Sequence, residues 1–518
     1  MHIELALVAL FAVATGVAMV ARRLKVPYTV ALVLAGLMLG TATDFEPLHL
    51  TKELVYAVFL PGLLFEAAFA LEFKKFSANK LAITSLALPG VVVAIALTAG
   101  FLVPVANGLH FVDGFTRADG LIFAAVIAAT DPIAVVALFK SLGAPKRLAV
   151  LVEGESLLND GTAVVLFTIV LAFATGKDFS AASAVLEFVK VVGMGVVIGG
   201  AVGYAVSLVI KEVDDPMIEI TLTTIAAYGS FVAAESLHFS GVIATVTAGM
   251  LCGNYAARVG MSPSTRVAVG SFWEYLAFAL NSLVFLLIGF EVHVDALVAA
   301  WKPIVVAYVA VTVGRAAVLA LVGGALSRTK EKLPWKWTAV LTWGGLRGSL
   351  SMVLVLGLPQ DLPHRDLIVT MTFGVVVLSI LVQGLTMGPL LKVLKLVGLR
   401  PAEGEYDRLK GQLRGAAAAL DEVTRMEREG AVSAEGAAKL RAQFQARQQE
   451  AREGIGHLHL KAEDLVEAEH RSALRRALIA EKDALLEERN AGRISAESYE
   501  ALMADVDARL VGVQLEHE

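Results

Sequence analysis

"AATDPIAVVALF", residues 128–139, places Thr130, Asp131 and Pro132 next to one another inside a stretch that is otherwise apolar enough to lie in a membrane. An ionised carboxylate at the centre of a bilayer costs on the order of 3 kcal/mol or more, and such residues mark ion or substrate pathways. A proline frees backbone groups that hydrocarbon cannot satisfy, so it is tolerated where the helix is buried in protein or lines a cavity. The stretch therefore predicts a broken membrane helix with a functional site at the break.

The composition is that of a membrane protein. Of the 518 residues, 57% are hydrophobic and 18% are charged, and the mean hydropathy is +0.69, whereas soluble domains contain about 25% charged residues. The single cysteine, Cys252, lies in an apolar run, which excludes a disulfide framework and a thiolate metal cluster. There is no phosphate loop and no nucleophile elbow, so we expect neither an enzyme nor a bound cofactor, and no nucleic-acid partner.

Thirteen apolar stretches approach the length of roughly 20 residues that a membrane helix needs. We number them as segments 1 to 13, at about residues 3–22, 27–41, 51–72, 80–106, 118–139, 147–174, 182–210, 216–236, 240–257, 266–290, 296–327, 335–358 and 367–397.

The loops between these segments differ in positive charge. One alternating set holds sixteen cations: Arg22, Arg23, Lys25, Lys74, Lys75, Lys80, Lys140, Lys146, Arg147, Lys211, Arg258, Arg266, Arg328, Lys330, Lys332 and Lys336. The other set holds four: Lys52, Arg117, Lys177 and Arg365. Because cytoplasmic loops carry the excess of Lys and Arg, we expect the N-terminus outside and the C-terminal tail in the cytoplasm.

Segment 12 is interrupted like segment 5, at "WGGLRGSL", residues 343–350, where three glycines surround Arg347. If segment 7 joins two halves, segments 1–6 and 8–13, both breaks occupy the same position in their half. Glycine and proline are common in membrane helices, but paired breaks that carry opposite charges indicate inverted repeats with a site at the membrane midplane. We therefore predict an all-α membrane protein in which the broken segments 5 and 12 cross.

Broken helices expose amide groups at one end and carbonyl groups at the other, with partial charges of about +0.5 and −0.5. Asp131 can compensate the amide end and Arg347 the carbonyl end. A structural role for both is therefore at least as well supported as direct substrate binding.

Segment 6 contains "VEGESLLNDGTAVVLF", residues 152–167, with an acid, hydroxyl and amide pattern on one helix face. Asp160, Ser156 and Thr130 offer the hard oxygen ligands that suit small cations. Since one carboxylate cannot hold a proton and a cation together, such a site predicts exchange of cations for protons. Asn159 beside Asp160 does not titrate, which predicts one proton per monovalent cation.

Other membrane charges have simpler interpretations. We expect Glu155 to be an ion-pair partner of Arg347 rather than a ligand, and Asn159 to orient the site through hydrogen bonds. Glu66 in "FLPGLLFEAAF" could line an ion path or cap a proline-bent helix. Inter-helix polar contacts or positions near the interface are expected for Arg315 and Glu235, and ordinary packing for His238 and Cys252.

The motifs "ATDP", "EGESLLNDGTAVV", "LPGLLFEAAF", "AAESLHFSGVIATVTAG", "SLVFLLIGF" and "GGLRGSLSMVL" occur in the order found in monovalent cation/proton antiporters of the NhaP/NHE type, which residues 1 to about 400 resemble. The resemblance implies a thirteen-helix homodimer in which a core domain moves against a dimerisation domain. It implies that Asp160 binds the ion with Ser156 and Thr130. Further family positions are the ion-path acid Glu66, the site-orienting amide Asn159, the core pair Glu155 and Arg347, and the helix-break residues Asp131 and Pro132.

Two sequence details bear on the resemblance. One branch of the family has Asp-Asp where this chain has Asn159-Asp160, which favours electroneutral exchange. The chain also has Leu60-Pro61-Gly62 where many relatives have Pro-Pro. We expect a multi-pass antiporter of the plasma (inner) membrane that exchanges Na⁺, or Li⁺ or K⁺, for H⁺ by alternating access. The alternatives are a cation channel and a sodium-coupled symporter of an organic anion on a related fold.

The tail differs from the rest in charge. Residues 402–518 contain 24 acidic and 17 basic residues, whereas residues 1–401 contain 25 and 27, which predicts a membrane domain at 1–400 and a helical cytoplasmic domain at 401–518. Two related stretches, Gly430 to Glu435 and Gly492 to Glu497, predict a helix end at the glycine and a helix cap at Ser433 and Ser495. Two helical hairpins follow, which could regulate transport, support the dimer or be merely solvated.

Overall fold

The computed structural model describes residues 3–24, 27–42, 55–109, 114–176, 181–257, 260–396, 401–429, 431–459, 474, 477–478, 480–489 and 493–515. All regular elements in these ranges are helices, as predicted. The chain divides into two compact units, Met1–Val397 and Gly398–Glu518. Several residues named above lie outside the described ranges: Lys25, Lys52, Lys177, Arg258, Gly430 and Gly492.

Helices occupy all thirteen predicted segments of the first unit. In order they are Ile3–Leu24; Tyr28–Ala42; Val55–Phe59 with Leu60–Ala70; Lys80–Ala87 with Pro89–Gly108; Arg117–Val126 with Ile133–Leu142; Lys146–Ala174; Ala181–Ile210; Pro216–Ser236; Gly241–Leu251 with Cys252–Ala256; Pro263–Phe290; Val294–Ala299 with Trp301–Leu326; Trp335–Trp343 with Ser349–Leu356; and Arg365–Leu378, Ser379–Gln383 and Gly384–Val393. A short helix, Phe73–Ser77, joins segments 3 and 4. Within the described residues, seven helices are long and apolar enough to cross a membrane unaided.

Segment 3 begins with a wide turn, Val55–Phe59, before Pro61. Tyr228 of segment 8 donates a hydrogen bond to the Val58 carbonyl at 2.9 Å. At Gly62 a Cβ atom would lie 2.8 Å from Leu280 Cδ1 of segment 10 and 3.0 Å from the Tyr228 hydroxyl. Glycine in the Leu60-Pro61-Gly62 stretch therefore allows segment 3 to pack closely against segments 8 and 10.

The thirteen segments form two layers, each drawn from both halves of the sequence. Segments 1–3 and 7–10 pack on one another and form what we call the scaffold layer. Segments 4–6 and 11–13 form the core layer. Segment 6 contacts segments 3, 7 and 9, so its two sides face different layers. This exchange of segments between halves agrees with the predicted inverted repeats.

The broken segments 5 and 12 cross inside the core layer. We call their halves 5a (Arg117–Val126), 5b (Ile133–Leu142), 12a (Trp335–Trp343) and 12b (Ser349–Leu356). The Asp131 amide donates to the Leu346 carbonyl at 2.8 Å, which joins one break to the other. The predicted crossed breaks are confirmed.

The second unit contains helices Pro401–Arg428, Ala434–His459 and Ala496–Leu515. The first two pack side by side as a hairpin. Both predicted serine caps are confirmed, because Ser433 Oγ accepts from the Gly436 amide at 3.2 Å and Ser495 Oγ accepts from the Ser498 amide at 3.1 Å.

Candidate ion-binding site at the crossed breaks

Asp131 closes the start of half-helix 5b. Its Oδ1 accepts from the Ile133 amide at 3.0 Å, and Pro132 lies between them at the helix cap. Gly348 makes room for this carboxylate, since a Cβ atom there would lie 2.5 Å from Asp131 Oδ2. A negative side chain thus faces the amide end of one half-helix, where the partial charge is positive.

Arg347 serves the opposite end. Its guanidinium Nη1 donates to the carbonyls of Ala128 and Ala129, at 2.7 and 3.1 Å, just beyond half-helix 5a. Its backbone amide donates to Ser379 Oγ of segment 13 at 3.1 Å. The side chain is only 5% exposed, so these carbonyls are its main compensation for burial.

Glu155 forms its ion pair with Arg315 of segment 11, not with Arg347. The two guanidinium nitrogens of Arg315 donate to Glu155 Oε1 at 3.0 Å and Oε2 at 2.8 Å. The predicted Glu155–Arg347 pair is therefore wrong. The physical reason is that the guanidinium of Arg347 is bound to the Ala128 and Ala129 carbonyls. The guanidinium of Arg315, on segment 11, lies within hydrogen-bond distance of Glu155 instead.

Arg315 also binds segment 12, through Nε to the Leu341 carbonyl at 3.0 Å. At Gly345 a Cβ atom would lie 2.2 Å from Arg315 Nε, so only glycine fits beside the guanidinium. Arg315 thus makes the inter-helix contact expected of it. Glu235 does so as well, because its Oε1 accepts from the Gly241 amide at the start of segment 9, at 3.1 Å.

Three polar side chains meet where segment 6 crosses the break in segment 5. The hydroxyls of Thr130 and Ser156 lie 2.9 Å apart. Asn159 Nδ2 donates to Thr130 Oγ1 at 3.1 Å and to the Ala128 carbonyl at 3.0 Å. Asn159 therefore orients the unwound chain at Thr130, and the two hydroxyl oxygens lie together beside Asp160.

Asp160 has a different environment from these neighbours. Its Oδ1 is buried and has no hydrogen-bond partner among the residues that the structure describes. It faces a cavity of about 380 Å³ between the two layers. The structure brings all five predicted ion-binding residues to this cavity: Thr130, Asp131, Ser156, Asp160 and Glu66.

The same cavity has lining residues that sequence reasoning missed. They include Glu153, Glu274, Lys140, Asn281 and Tyr28. Glu153 lies seven residues before Asp160, two helical turns away on the same face of segment 6, so helical spacing could have found it. Lys140 was counted only as a loop cation, and Glu274 lies in an apolar run whose facing side the sequence does not reveal.

The cavity reaches Asp160 from one side of the membrane domain. The solvent-exposed end of the cavity, which we call its outer end, lies at Lys140 in the last turn of half-helix 5b, with a side chain that is 76% exposed. At its inner end lie Gly348 and Ser349, at the break in segment 12. None of its described lining residues belongs to half-helix 5a, whose residues 122–126 are buried.

Comparison with known proteins gives consistent results. The family model described as sodium/hydrogen exchanger, transmembrane, matches residues 7–393. The Na(+)/H(+) antiporter ApNhaP of Aphanothece halophytica is 39% identical over 389 residues, which cover 74% of this chain and 73% of that protein. The Na(+)/H(+) antiporter NhaS2 of Synechocystis sp. is 36% identical over 517 residues, 98% of this chain and 93% of the relative, so that similarity includes the tail.

Among solved structures, the sodium proton antiporter MjNhaP1 of Methanocaldococcus jannaschii at pH 8 superimposes with a TM-score of 0.63. The match covers 77% of this chain and 98% of that protein at 20% identity. At this identity the likeness concerns the fold alone.

Proposed function

The chain belongs to the sodium/hydrogen exchanger family, and from this premise we propose that it exchanges Na⁺ for H⁺ across the membrane with Asp160 as the carboxylate that binds either ion. It is a multi-pass membrane protein. Its curated relatives bear the name of Na(+)/H(+) antiporters, which favours exchange over the sodium-coupled symport of an organic anion.

One observation carries the assignment of Asp160. The neighbouring charges are occupied: Asp131 by the Ile133 amide, Arg347 by two carbonyls, and Glu155 by Arg315. The Asp160 carboxylate interacts with the Thr130 backbone amide, but its Oδ1 is buried at the cavity with no hydrogen-bond partner among the described residues. A carboxylate removed from water is costly unless something neutralises it, and the cavity gives an ion access to this one.

The surrounding oxygens suit a small cation. The Thr130 and Ser156 hydroxyls, 2.9 Å apart, lie at the same cavity as the Asp160 carboxylate. Carboxylate and hydroxyl oxygens are hard ligands, which suit alkali cations. Since H⁺ and Na⁺ neutralise the same negative charge, binding of one ion excludes the other. A protein that carries Na⁺ in one direction and H⁺ in the other therefore exchanges the two ions.

The other site residues have supporting roles in this proposal. Asn159 holds the Thr130 backbone turn, and its neutral amide leaves a single titrating carboxylate in the pair, which supports electroneutral exchange of one proton per cation. Pro132 keeps the break open, and Arg347 and the Glu155–Arg315 pair fix it in the core layer. Glu66 lines the cavity, which favours a place on the cation path over a capping role.

The position of the cavity also indicates the side of the membrane to which this conformation is open. The outer end of the cavity lies at Lys140, next to the connection between segments 5 and 6, and Lys146 and Arg147 follow at the start of segment 6. Positive loops are cytoplasmic, so this conformation is open to the cytoplasm, with the N-terminus outside and the tail inside. We further propose a homodimer in the plasma membrane, in which the core layer moves against the scaffold layer, and transport of Li⁺ or K⁺ as further cations.

The test is a fluorescence dequenching assay in everted vesicles, with Na⁺, Li⁺ and K⁺ supplied in turn. Asp160→Asn is expected to abolish exchange of every cation. Asp366→Asn is the matched control, because it makes the same chemical change at a side chain that is fully exposed, and it is expected to exchange at the native rate. Full exchange by a well-inserted Asp160→Asn protein would contradict the assignment. Na⁺ uptake that requires an organic anion and moves no protons would favour the symporter.

A further inference from the structure

The lining of the cavity is strongly unequal in charge. Its described residues include five carboxylates and one lysine: Glu66, Asp131, Glu153, Asp160, Glu274 and Lys140. Carboxylates along a cation path attract cations, because a cleft lined by negative charges focuses the electric field and raises the local cation concentration. A lysine there acts against that attraction, so its position needs a reason.

Lys140 forms a loose ion pair at the outer end of the cavity. Its Nζ lies 3.9 Å from Glu153 Oε1, beyond hydrogen-bond distance. The Lys140 side chain is 76% exposed and that of Glu153 is 32% exposed. Such a pair is weak and easily exchanged, so the ammonium group can leave Glu153 for water at little cost.

The pair also lies on the two helices that carry the ion site. Half-helix 5b begins beside Asp131 and has Lys140 in its last turn, while segment 6 carries both Glu153 and Asp160. Glu66, on the opposite layer, interacts electrostatically with Lys140, Glu153 and Glu274. The lysine is therefore within electrostatic reach of an ion that enters the cavity.

A structural explanation covers only part of this arrangement. A cation in the last turn of a helix is stabilised by the negative end of the helix dipole, and Lys140 lies three residues before the helix cap at Gly143. The dipole does not require that the side chain line the cavity. Lys146, six residues further on, is also exposed, but it lies at the start of segment 6 and is not among the described lining residues.

We propose that Lys140 is a tethered cation that competes with incoming Na⁺ for the carboxylates at the outer end of the cavity and thereby sets the apparent affinity for Na⁺ from that side. An entering Na⁺ replaces the ammonium group beside Glu153, and the lysine returns when Na⁺ leaves. The inference rests on the proposed function, since it concerns access to the same site.

The test measures KM for Na⁺ and the maximal rate in proteoliposomes of Lys140→Gln and Lys146→Gln. Removing one positive charge near the path is expected to lower KM about three-fold in Lys140→Gln, whereas Lys146→Gln should keep the native KM. The measurement is made at alkaline pH, where few protons compete with Na⁺ for the site. At lower pH a nearby charge would change the affinities for Na⁺ and H⁺ by the same factor, and the two changes would cancel in the apparent KM for Na⁺.

Two further variants separate electrostatics from a structural role. Glu153→Gln is expected to raise KM about three-fold, and the double variant Lys140→Gln/Glu153→Gln should return it close to the native value. The difference between Lys140→Gln and the native protein should also shrink when choline chloride rises from about 0.01 M to 0.5 M, because salt screens charges at this range.

A KM in Lys140→Gln that equals or exceeds the native one would overturn the inference and leave the proposed function intact. If that variant fails to insert, Glu153→Gln decides alone, and an unchanged or lower KM in it counts against the inference. By contrast, absence of Na⁺-dependent proton movement in the native protein, or its persistence in Asp160→Asn, would count against the proposed function.

Discussion

Two carboxylates five residues apart on segment 6 have opposite surroundings. Glu155 faces the interior of the core layer and receives two hydrogen bonds from Arg315. Asp160 faces the cavity between the layers, and its Oδ1 has no partner among the described residues. The surroundings of an acid in this membrane helix therefore depend on the layer that it faces. Glu155 is fixed by an ion pair, whereas Asp160 keeps one carboxylate oxygen open at the cavity, as the proposed ion-binding role requires.

The largest expected effect follows from breaking the paired side. Glu155→Gln leaves Arg315, whose side chain is 13% exposed, without its countercharge, which costs about 3–5 kcal/mol of stability, whereas Asp160→Asn removes a charge that has no ionic partner among the described residues and should leave stability unchanged or higher. Thermal unfolding of the two purified variants in detergent measures this difference. Equal destabilisation of both variants would show that the two acids do not differ in the way described.

A second, smaller effect concerns the space around the paired side. Gly345→Ala places a methyl group against the Arg315 guanidinium, at a position where a Cβ atom would lie 2.2 Å from Nε. We expect a loss of about 1–3 kcal/mol, as for other overpacked interiors. Gly270→Ala is the control, because a Cβ atom there meets nothing within 4 Å. A midpoint temperature of unfolding that Gly345→Ala leaves unchanged would argue against a fixed Arg315.

The pH dependence tests the unpaired side. If Na⁺ and H⁺ compete for Asp160 alone, KM for Na⁺ at acidic pH should rise about ten-fold, or 1.4 kcal/mol, for each unit by which pH falls, and it should become constant at alkaline pH. KM rises as pH falls because lower pH favours protonated Asp160, which does not bind Na⁺. A steeper slope would require a second titrating carboxylate, for which Asp131 and Glu66 are candidates at the cavity.

The smallest effect concerns the neutral oxygens. Ser156→Ala removes one proposed ligand and its contact with Thr130, which should cost about 1 kcal/mol in stability and raise KM for Na⁺ several-fold. Thr162→Ala serves as the control, since Thr162 is on the same helix and its hydroxyl donates only to the Leu158 carbonyl. If Ser156→Ala weakens proton binding to Asp160 as much as it weakens Na⁺ binding, Ser156 affects the Asp160 carboxylate itself and is not a ligand of Na⁺.

The segments, the two breaks and several residues of the candidate site could be predicted from the sequence. Hydropathy located the thirteen segments, and Pro132 with the glycines around Arg347 located the two breaks, because these residues have a direct local effect on helices. Helical spacing and the break together predicted that Thr130, Ser156 and Asp160 would meet. These features depend on neighbours in the chain, which the sequence displays.

What could not be predicted depends on how the helices are rotated against one another. The sequence favoured Arg347 as the partner of Glu155, and only the three-dimensional arrangement of the core layer shows that Arg315 of segment 11 takes that place. The same holds for Glu274, which is an isolated acid in an apolar run until segment 10 is seen to face the cavity.

If Asp160 holds either a proton or a cation, binding of one must displace the other. Purified protein in weak buffer should release one proton for each Na⁺ it binds, and Asp160→Asn should release none, while Asp366→Asn behaves as the native protein. Proton release of native size from a folded Asp160→Asn protein would contradict the account.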